Sequence, residues 1–181
     1  MLSIGDKAPD FTLPAHSGKP VTLSSYEGDK NVVLSFHIFS FTGGWTHQVS
    51  SFRVHNTAFE EVDTQVLGIS CDSKPAQSAF SGSLGGIPYP VLSDFYPHGQ
   101  VSESYGVFDS NRGTPQRAII VIDKEGIIRF SKTYDAATDL NPTDILDTIK
   151  SLWKLNSESG YINEWCWQST ISRRGFSGSV R

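Results

Sequence analysis

The sequence predicts an α/β fold in which a mixed central sheet is flanked by helices on both faces. A near-continuous apolar run at residues 31–38 has the composition of a strand covered on both sides, and residues 64–70 are predicted to form the next buried strand. A segment with helical periodicity joins them, so we expect a parallel βαβ unit with a right-handed crossover. A strand–turn–strand pattern at residues 116–134 then precedes a last amphipathic helix.

The N-terminal residues predict a β-hairpin. Residues 9–15 alternate between apolar and polar side chains, a turn follows at 17–19, and residues 20–26 are predicted to form the second strand. After the first apolar run, the period changes at Thr42 to that of a helix. The buried stripe of this helix is predicted to contain Trp45, Val49, Phe52, Phe59 and Val62.

The second half of the chain adds shorter elements. A helix over residues 74–86 that ends in glycines follows the second apolar run, and a strand over 89–95 and a short helix over 99–107 come next. Asn141 is predicted to cap the last helix, with Pro142 at its first position. Its buried face is predicted to contain Ile145, Leu146, Ile149, Leu152 and Trp153.

The order βαβ, αβ, ββα matches a thioredoxin-like architecture. At 181 residues the chain is long enough for one domain with a full core, and no linker divides it. We therefore predict one domain over residues 1–155 and a C-terminal arm over residues 156–181. The arm is rich in serine and glycine but contains large apolar side chains, among them Tyr161, Ile162, Trp165 and Trp167.

The composition argues against several classes of function. The net charge is −4, the isoelectric point is about 5.7 and no segment is basic. These values predict that neither nucleic acid nor a membrane is a partner of the protein. The longest apolar run is far shorter than a membrane span and the N-terminus has no signal pattern, so we expect a cytoplasmic protein. Cys71, Cys166 and the five scattered histidines lack metal-ligand spacing, so we expect no metal and no cofactor.

Several segments resemble one protein family and occur in its order. They are "GDKAPDFTLPAHSGKPVTLSSYEG", "NVVLSFHIFSFTGG", "VLGISCDSKPAQSAF", "YPVLSD", "HGQVSESYGV" and "RAIIVIDKEGIIRF". From about residue 3 to about residue 155 the chain resembles a peroxiredoxin of the alkyl hydroperoxide reductase and thiol-specific antioxidant type. The resemblance implies a thiol-dependent peroxidase that takes a hydroperoxide substrate and a thioredoxin-type reductant. It also implies a homodimer or higher homo-oligomer, with the aromatic arm as a contact.

The active site of that family contains the pattern P-x-x-x-T-x-x-C and an arginine from a distant strand. On this chain the proline falls on Ile38, the threonine on Thr42, the cysteine on Trp45 and the arginine on Arg117. Thr42, whose side chain can cap the helix, and Arg117 match the pattern, whereas the other two positions depart from it. Gln48 lies three residues beyond Trp45, where the family often has a carboxamide or a carboxylate, and is expected to support the pocket.

The departure at Trp45 removes the nucleophile. Peroxide reduction needs a thiolate that attacks one oxygen and becomes a sulfenic acid, and a helix N-terminus with a nearby arginine favours that thiolate. Indole neither ionises nor cycles with a reductant. Losing a covalent nucleophile costs on the order of 10⁶ in turnover, so we predict a redox-silent chain in which Trp45 fills the peroxide cavity.

Other interpretations of the same residues remain open. Trp45 is also explained as the first residue of the buried helical stripe, and Arg117 as a charged strand end that extends to water. Cys71 is either a small core residue or a relocated nucleophile. Cys166 is a relic of resolving chemistry, an intersubunit disulfide site or part of an aromatic contact patch. His47, in the first turns of the helix, is expected to face solvent.

Three functions therefore compete. The first is a peroxiredoxin-like protein blocked at its peroxidatic position, which acts in binding, oligomerisation or regulation. The second is an active peroxidase whose parent carries cysteine at position 45, or which uses Cys71 or Cys166. The third is a binder of small anions or peptides through Thr42 and Arg117, which requires an open pocket.

Overall fold

The computed structural model describes residues 1–136 and 140–158, with only the backbone described for Trp45 and for residues 153–158. In chain order the elements are β1 (Thr12–Pro14), β2 (Pro20–Thr22), a 3₁₀ helix (Leu23–Tyr26), β3 (Asn31–Phe36), α1 (Gly43–Glu60), β4 (Thr64–Ser70), α2 (Lys74–Ser83), β5 (Val91–Ser93), α3 (Gln100–Ser104), β6 (Phe108–Asp109), β7 (Thr114–Pro115), β8 (Ala118–Ile122), β9 (Ile128–Thr133) and α4 (Pro142–Glu158).

The central sheet has five strands in the order β5-β4-β3-β8-β9. The strands β3, β4 and β5 are parallel, while β8 runs antiparallel to both β3 and β9. Every residue of β3 and of β8 is buried, as the continuous apolar runs predict for strands covered on both faces. The predicted mixed sheet and its βαβ unit are confirmed.

Two clusters of apolar side chains cover the two faces of this sheet. On one face, α1, α2 and α4 contribute to a core that includes Phe52, Phe80 and Ile149. On the other face, the N-terminal segment and α3 contribute to a core in which the rings of Phe36 and Tyr105 lie 5.7 Å apart. The predicted stripe of α1 is confirmed for Val49, Phe52 and Phe59, which are fully buried.

Some element boundaries differ from the prediction. The second strand of the hairpin ends at Thr22, and residues 23–26 form the 3₁₀ helix, because Asp10 Oδ1 and Oδ2 accept hydrogen bonds from Ser24 N and Oγ. Val62 lies beyond the end of α1, and the short β6–β7 hairpin was not predicted.

The last helix begins as predicted. Asn141 Oδ1 accepts a hydrogen bond from Thr143 N at 3.1 Å, and Pro142 is the first helical residue. Residues 159–181 of the predicted arm, which include Cys166 and the aromatic residues, lie outside the described residues, whereas α4 extends to Glu158. Within the described ranges, no helix combines the length and hydropathy that a membrane span requires.

Candidate active site at the carboxyl edge of the sheet

The candidate site lies at one edge of the sheet, where several chain segments meet. Because β3, β4 and β5 are parallel, their carboxyl ends lie at the same edge. The antiparallel register places Phe36 opposite Ala118, so β8 begins where β3 ends. This arrangement brings the segments that carry Thr42, Cys71 and Arg117 to one edge.

The loop from β3 to α1 is held in an uncommon conformation. Phe41 has a φ of 63°, in the left-handed region that costs a non-glycine residue about 1–2 kcal/mol. Thr42 precedes α1 in an extended conformation, and its Oγ1 donates to Phe39 O at 2.9 Å. The side chain of Thr42 therefore stabilises the loop and does not cap the helix, contrary to the expectation from sequence.

The first turn of α1 contains Gly43, Gly44 and Trp45. It has no acidic side chain and no side-chain cap, so its backbone N–H groups form an electropositive helix start. The backbone of Trp45 is part of this turn. The prediction that its indole fills a peroxide cavity concerns a side chain that the structure does not describe, and it stays a prediction.

Arg117 lies directly before β8 and is half-buried. Its Nη1 donates to Asp135 O at 3.2 Å, whereas its Nε is buried and has no hydrogen-bond partner among the described residues. Burial, followed by the charge of Arg112, lowers the pKa of Arg117. Within the described chain, no carboxylate forms an ion pair with this guanidinium, so its positive charge is unbalanced.

His37 lies beside Arg117 and was not predicted as a site residue. It is fully buried, its backbone N–H donates to Ile69 O, and its Nδ1 lies 3.3 Å from Ser35 O. Burial holds the pKa of His37 well below its ordinary value, and the charge of Arg117 lowers it further. The sequence signal for this residue is its place directly after a strand that is mostly apolar.

Gln48 is fully buried between α1 and β3. Its Nε2 donates to Ser35 Oγ at 2.8 Å and makes a longer contact of 3.4 Å to Phe36 O. The carboxamide therefore fixes the first turns of α1 on the strand that leads into the site. It supports the candidate site through the backbone.

Cys71 is the first residue after β4, and its thiol is half-buried. Burial, and then the charges of Asp94 and Asp72, raise the pKa of Cys71 to about 12, against a smaller opposing effect of the hydrogen bond with Ser102. An activated cysteine needs the opposite surroundings, with nearby positive charge. The surroundings of Cys71 favour the protonated, unreactive thiol.

Asp72 joins the loops at this edge, a role that no sequence pattern indicated. Its Oδ2 accepts hydrogen bonds from Ser40 N at 2.7 Å and from Ser70 Oγ at 2.9 Å. Its backbone carbonyl accepts a third from Ser93 Oγ at 2.6 Å. One residue thus ties the loop before α1 to the ends of β4 and β5.

Large aromatic side chains are exposed on the segments that Asp72 joins. Phe41 follows Ser40 and is 63% exposed, while Phe95 and Tyr96 follow β5 and are 50% and 78% exposed. His47, as expected from sequence, is exposed. The rim of the candidate site is therefore apolar and uncharged at these positions.

Comparisons with known proteins agree with the sequence resemblance. The model of the AhpC/TSA family matches residues 4–131. An alkyl hydroperoxide reductase E from Mycobacterium tuberculosis is 42% identical over 132 residues, which are 73% of this chain and 86% of the relative. A chloroplastic 2-Cys peroxiredoxin BAS1 from Hordeum vulgare is 33% identical over 158 residues, or 82% of this chain and 74% of the relative.

The fold is also similar to solved structures. The crystal structure of peroxidoxin BcpB from Mycobacterium tuberculosis has a TM-score of 0.76 and 30% sequence identity to this chain. The similarity covers 83% of this chain and 98% of that one. The sheet and the helix that follows β3 thus belong to a fold shared over most of the described residues.

Proposed function

Because the chain belongs to the AhpC/TSA family of peroxiredoxins and has their thioredoxin-like α/β fold, we propose that it is a peroxiredoxin-like protein blocked at its peroxidatic position. Trp45 occupies the first turn of α1, where the family resemblance expects the nucleophilic cysteine. The presence of tryptophan at position 45 is the observation on which the proposal rests. The protein then acts through binding, assembly or regulation, without thiol turnover.

The surroundings of Cys71 support this proposal. A relocated nucleophile would have to ionise near neutral pH, but burial and two carboxylates raise the pKa of Cys71 to about 12. Its thiolate is therefore scarce under the conditions in which a peroxidase works. Cys166 lies outside the described residues, and a resolving thiol there would have no sulfenic acid at position 45 to react with.

Arg117 and the start of α1 support the second hypothesis, in which an active parent protein has cysteine at position 45. Arg117 and the uncapped start of α1 would favour a thiolate at this position. A cysteine introduced at position 45 would meet the electrostatic conditions that thiol chemistry needs. A thioredoxin-type reductant and a cytoplasmic location are part of this proposal.

The unbalanced charge of Arg117 favours a further candidate function, the binding of a small anion. The guanidinium has no carboxylate partner among the described residues, and the first turn of α1 has no acidic side chain. Such binding requires space beside Thr42. The indole of Trp45 would have to leave that space open.

We also propose that the protein assembles with copies of itself. Its family resemblance favours a homodimer or higher homo-oligomer, and the exposed rings of Phe41, Phe95 and Tyr96 add an uncharged surface at the site edge. The C-terminal arm is a second candidate contact.

Peroxide consumption with thioredoxin, thioredoxin reductase and NADPH tests the proposal. We expect the chain as it stands to remain at the background rate and W45C to gain turnover by several orders of magnitude, up to about 10⁶-fold. W45S is the matched control, because it removes the indole without supplying a thiol. If the unaltered chain consumed peroxide at a rate close to that of W45C, the proposal that Trp45 blocks the peroxidatic position would be contradicted. If that rate were then lost in C71S, Cys71 would be identified as the nucleophile.

A further inference from the structure

The strand β5 is an edge of the central sheet, and the N-terminal hairpin covers it. Ala15 forms an antiparallel bridge with Leu92, and the backbone N–H of His16 donates to Val91 O at 2.8 Å. On its other side β5 pairs with β4, so the outward N–H and C=O of Val91 depend on the hairpin for their partners.

The side chain of His16 completes this pairing. In an ordinary closely spaced antiparallel pair, the opposite residue would accept the Val91 N–H with its carbonyl. The carbonyl of His16 instead accepts Ser78 Oγ from α2 at 2.7 Å, and the Val91 N–H is accepted by His16 Nδ1 at 3.1 Å. The ring nitrogen takes the place of a backbone acceptor.

This geometry fixes the protonation state of His16. Only a neutral ring with its proton on Nε2 has a free electron pair on Nδ1, so a charged ring would face the Val91 N–H with a second donor. Val91 is buried, with 1% exposure, so its N–H would have no acceptor in place of the ring. Burial lowers the pKa of His16 by more than the backbone contact with Val91 raises it, and the partial exposure of the ring leaves a path for protons.

The charged groups on the elements around His16 do not offset a charge on the ring. Lys19 lies on the hairpin itself, and Lys74 begins α2, with its Nζ 3.9 Å from the Cβ position of Gly18. Asp94 follows β5, but its carboxylate accepts hydrogen bonds from α3. Two lysines near the hairpin turn make an additional positive charge less favourable there.

We propose that His16 is a pH-sensitive clamp, which holds residues 15–16 of the N-terminal hairpin on β5 while its ring is neutral and releases this pairing when the ring is protonated. Release leaves the N–H and C=O of Val91 without partners and gives the sheet a free edge. A free edge is a template on which another strand can pair. The clamp concerns the edge of the sheet and does not depend on the function proposed for position 45.

Amide hydrogen exchange by NMR on the full chain tests the clamp. We expect the protection factor of the Val91 amide to fall at least about tenfold more than that of the Leu34 amide between pH 7.5 and pH 5.0, as for the loss of one hydrogen bond to a buried amide. H16N should abolish this fall, because the asparagine oxygen can accept the Val91 N–H at both pH values. H98N, which replaces an exposed histidine, should behave like the unaltered chain.

Two internal readouts keep the outcome decisive even if H16N folds poorly. The ring nitrogens of His16 should show the Nε2–H tautomer at pH 7.5, and a proton on Nδ1 would overturn the proposal. The amide of Leu34 in β3 reports the global stability, which is itself expected to be lower at pH 5.0, so an equal fall at Val91 and Leu34 would indicate global unfolding and overturn the proposal. An unchanged Val91 protection factor, or the same fall in H16N, would also overturn it.

Discussion

His37 and Arg117 are neighbours at the carboxyl edge of the sheet, although they come from distant parts of the chain. The antiparallel register of β3 and β8 brings them together, since each lies one residue beyond the pair Phe36–Ala118. Burial keeps the pKa of His37 low and Arg117 lowers it further, so the pair carries one positive charge. That charge lies at the carboxyl end of β3, from which the chain leads into α1.

Cys71 is expected to be chemically inert. With a pKa of about 12, against about 8.5 for an ordinary thiol, its thiolate is scarcer by a factor of roughly 10³ near neutral pH. In a C166S background, mass spectrometry after brief treatment with iodoacetamide at pH 8 should find Cys71 almost unmodified. The thiol introduced by V54C at an exposed position of α1 is the reference, and comparable labelling of both would contradict the prediction.

At the level of elements, Asp72 should stabilise the loop that leads into α1. In D72A the Ser40 N–H loses its acceptor, and Ser70 Oγ loses a partner. We expect the free energy of unfolding, measured in urea, to fall by about 1–3 kcal/mol. D147A, on the exposed face of α4, should change it by less than about 0.5 kcal/mol, and equal losses in the two variants would argue against this role of Asp72.

Glycine is required at position 99, directly before α3, both by the backbone conformation and by the lack of space for a Cβ. Its φ is 88°, and a Cβ there would overlap the ring of Phe108. Gly86 has a similar φ of 97° but no atom within 4 Å of the Cβ position, so G86A isolates the backbone cost of about 1–2 kcal/mol. G99A should cost about 1–3 kcal/mol more, from overpacking, in the same urea titration. Similar losses in both variants would mean that Phe108 moves aside freely.

The sequence predicted those elements whose pattern comes from burial. The strands β3, β4 and β8 are covered on both faces and are therefore rich in apolar residues, and α1 repeats its apolar residues at helical spacing. The hairpin of β6 and β7 has two residues in each strand, too few for any period. The 3₁₀ helix depends on the carboxylate of Asp10, which lies in another segment.

The candidate site was predictable only where the family resemblance marks it. Thr42 and Trp45 are recognised from the spacing of the family motif and Arg117 from the family's arginine on a distant strand, and the fold brings their backbones to one edge. Asp72 and His37 have no local signal, because their roles come from hydrogen bonds and charges between segments distant in sequence. Thr42 likewise does not cap the helix, because the loop turns so that Phe39 O accepts a hydrogen bond from Thr42 Oγ1.

At the scale of the whole molecule, buried histidines should make stability depend on pH. The pKa of His37 is held well below its ordinary value by burial and then by Arg117, so the native state keeps this ring neutral. The unfolded state binds a proton with a pKa near 6.5. The contribution of His37 is therefore present above pH 6.5 and is lost as the pH falls, because only the unfolded chain gains the proton. The lowered pKa of His16 acts in the same direction, but more weakly because that ring is partly exposed.

The expected size of this effect follows from linkage. If His37 stays neutral throughout, the free energy of unfolding should fall by about 2 kcal/mol between pH 7 and pH 5. Urea titrations at micromolar concentration measure it, with dilution needed because this range includes the isoelectric point of about 5.7. H37N lowers stability at both pH values but should flatten the difference between them, because asparagine does not titrate. Equal stability of the unaltered chain at pH 7 and pH 5, or an undiminished difference in H37N, would show that His37 gains its proton without unfolding.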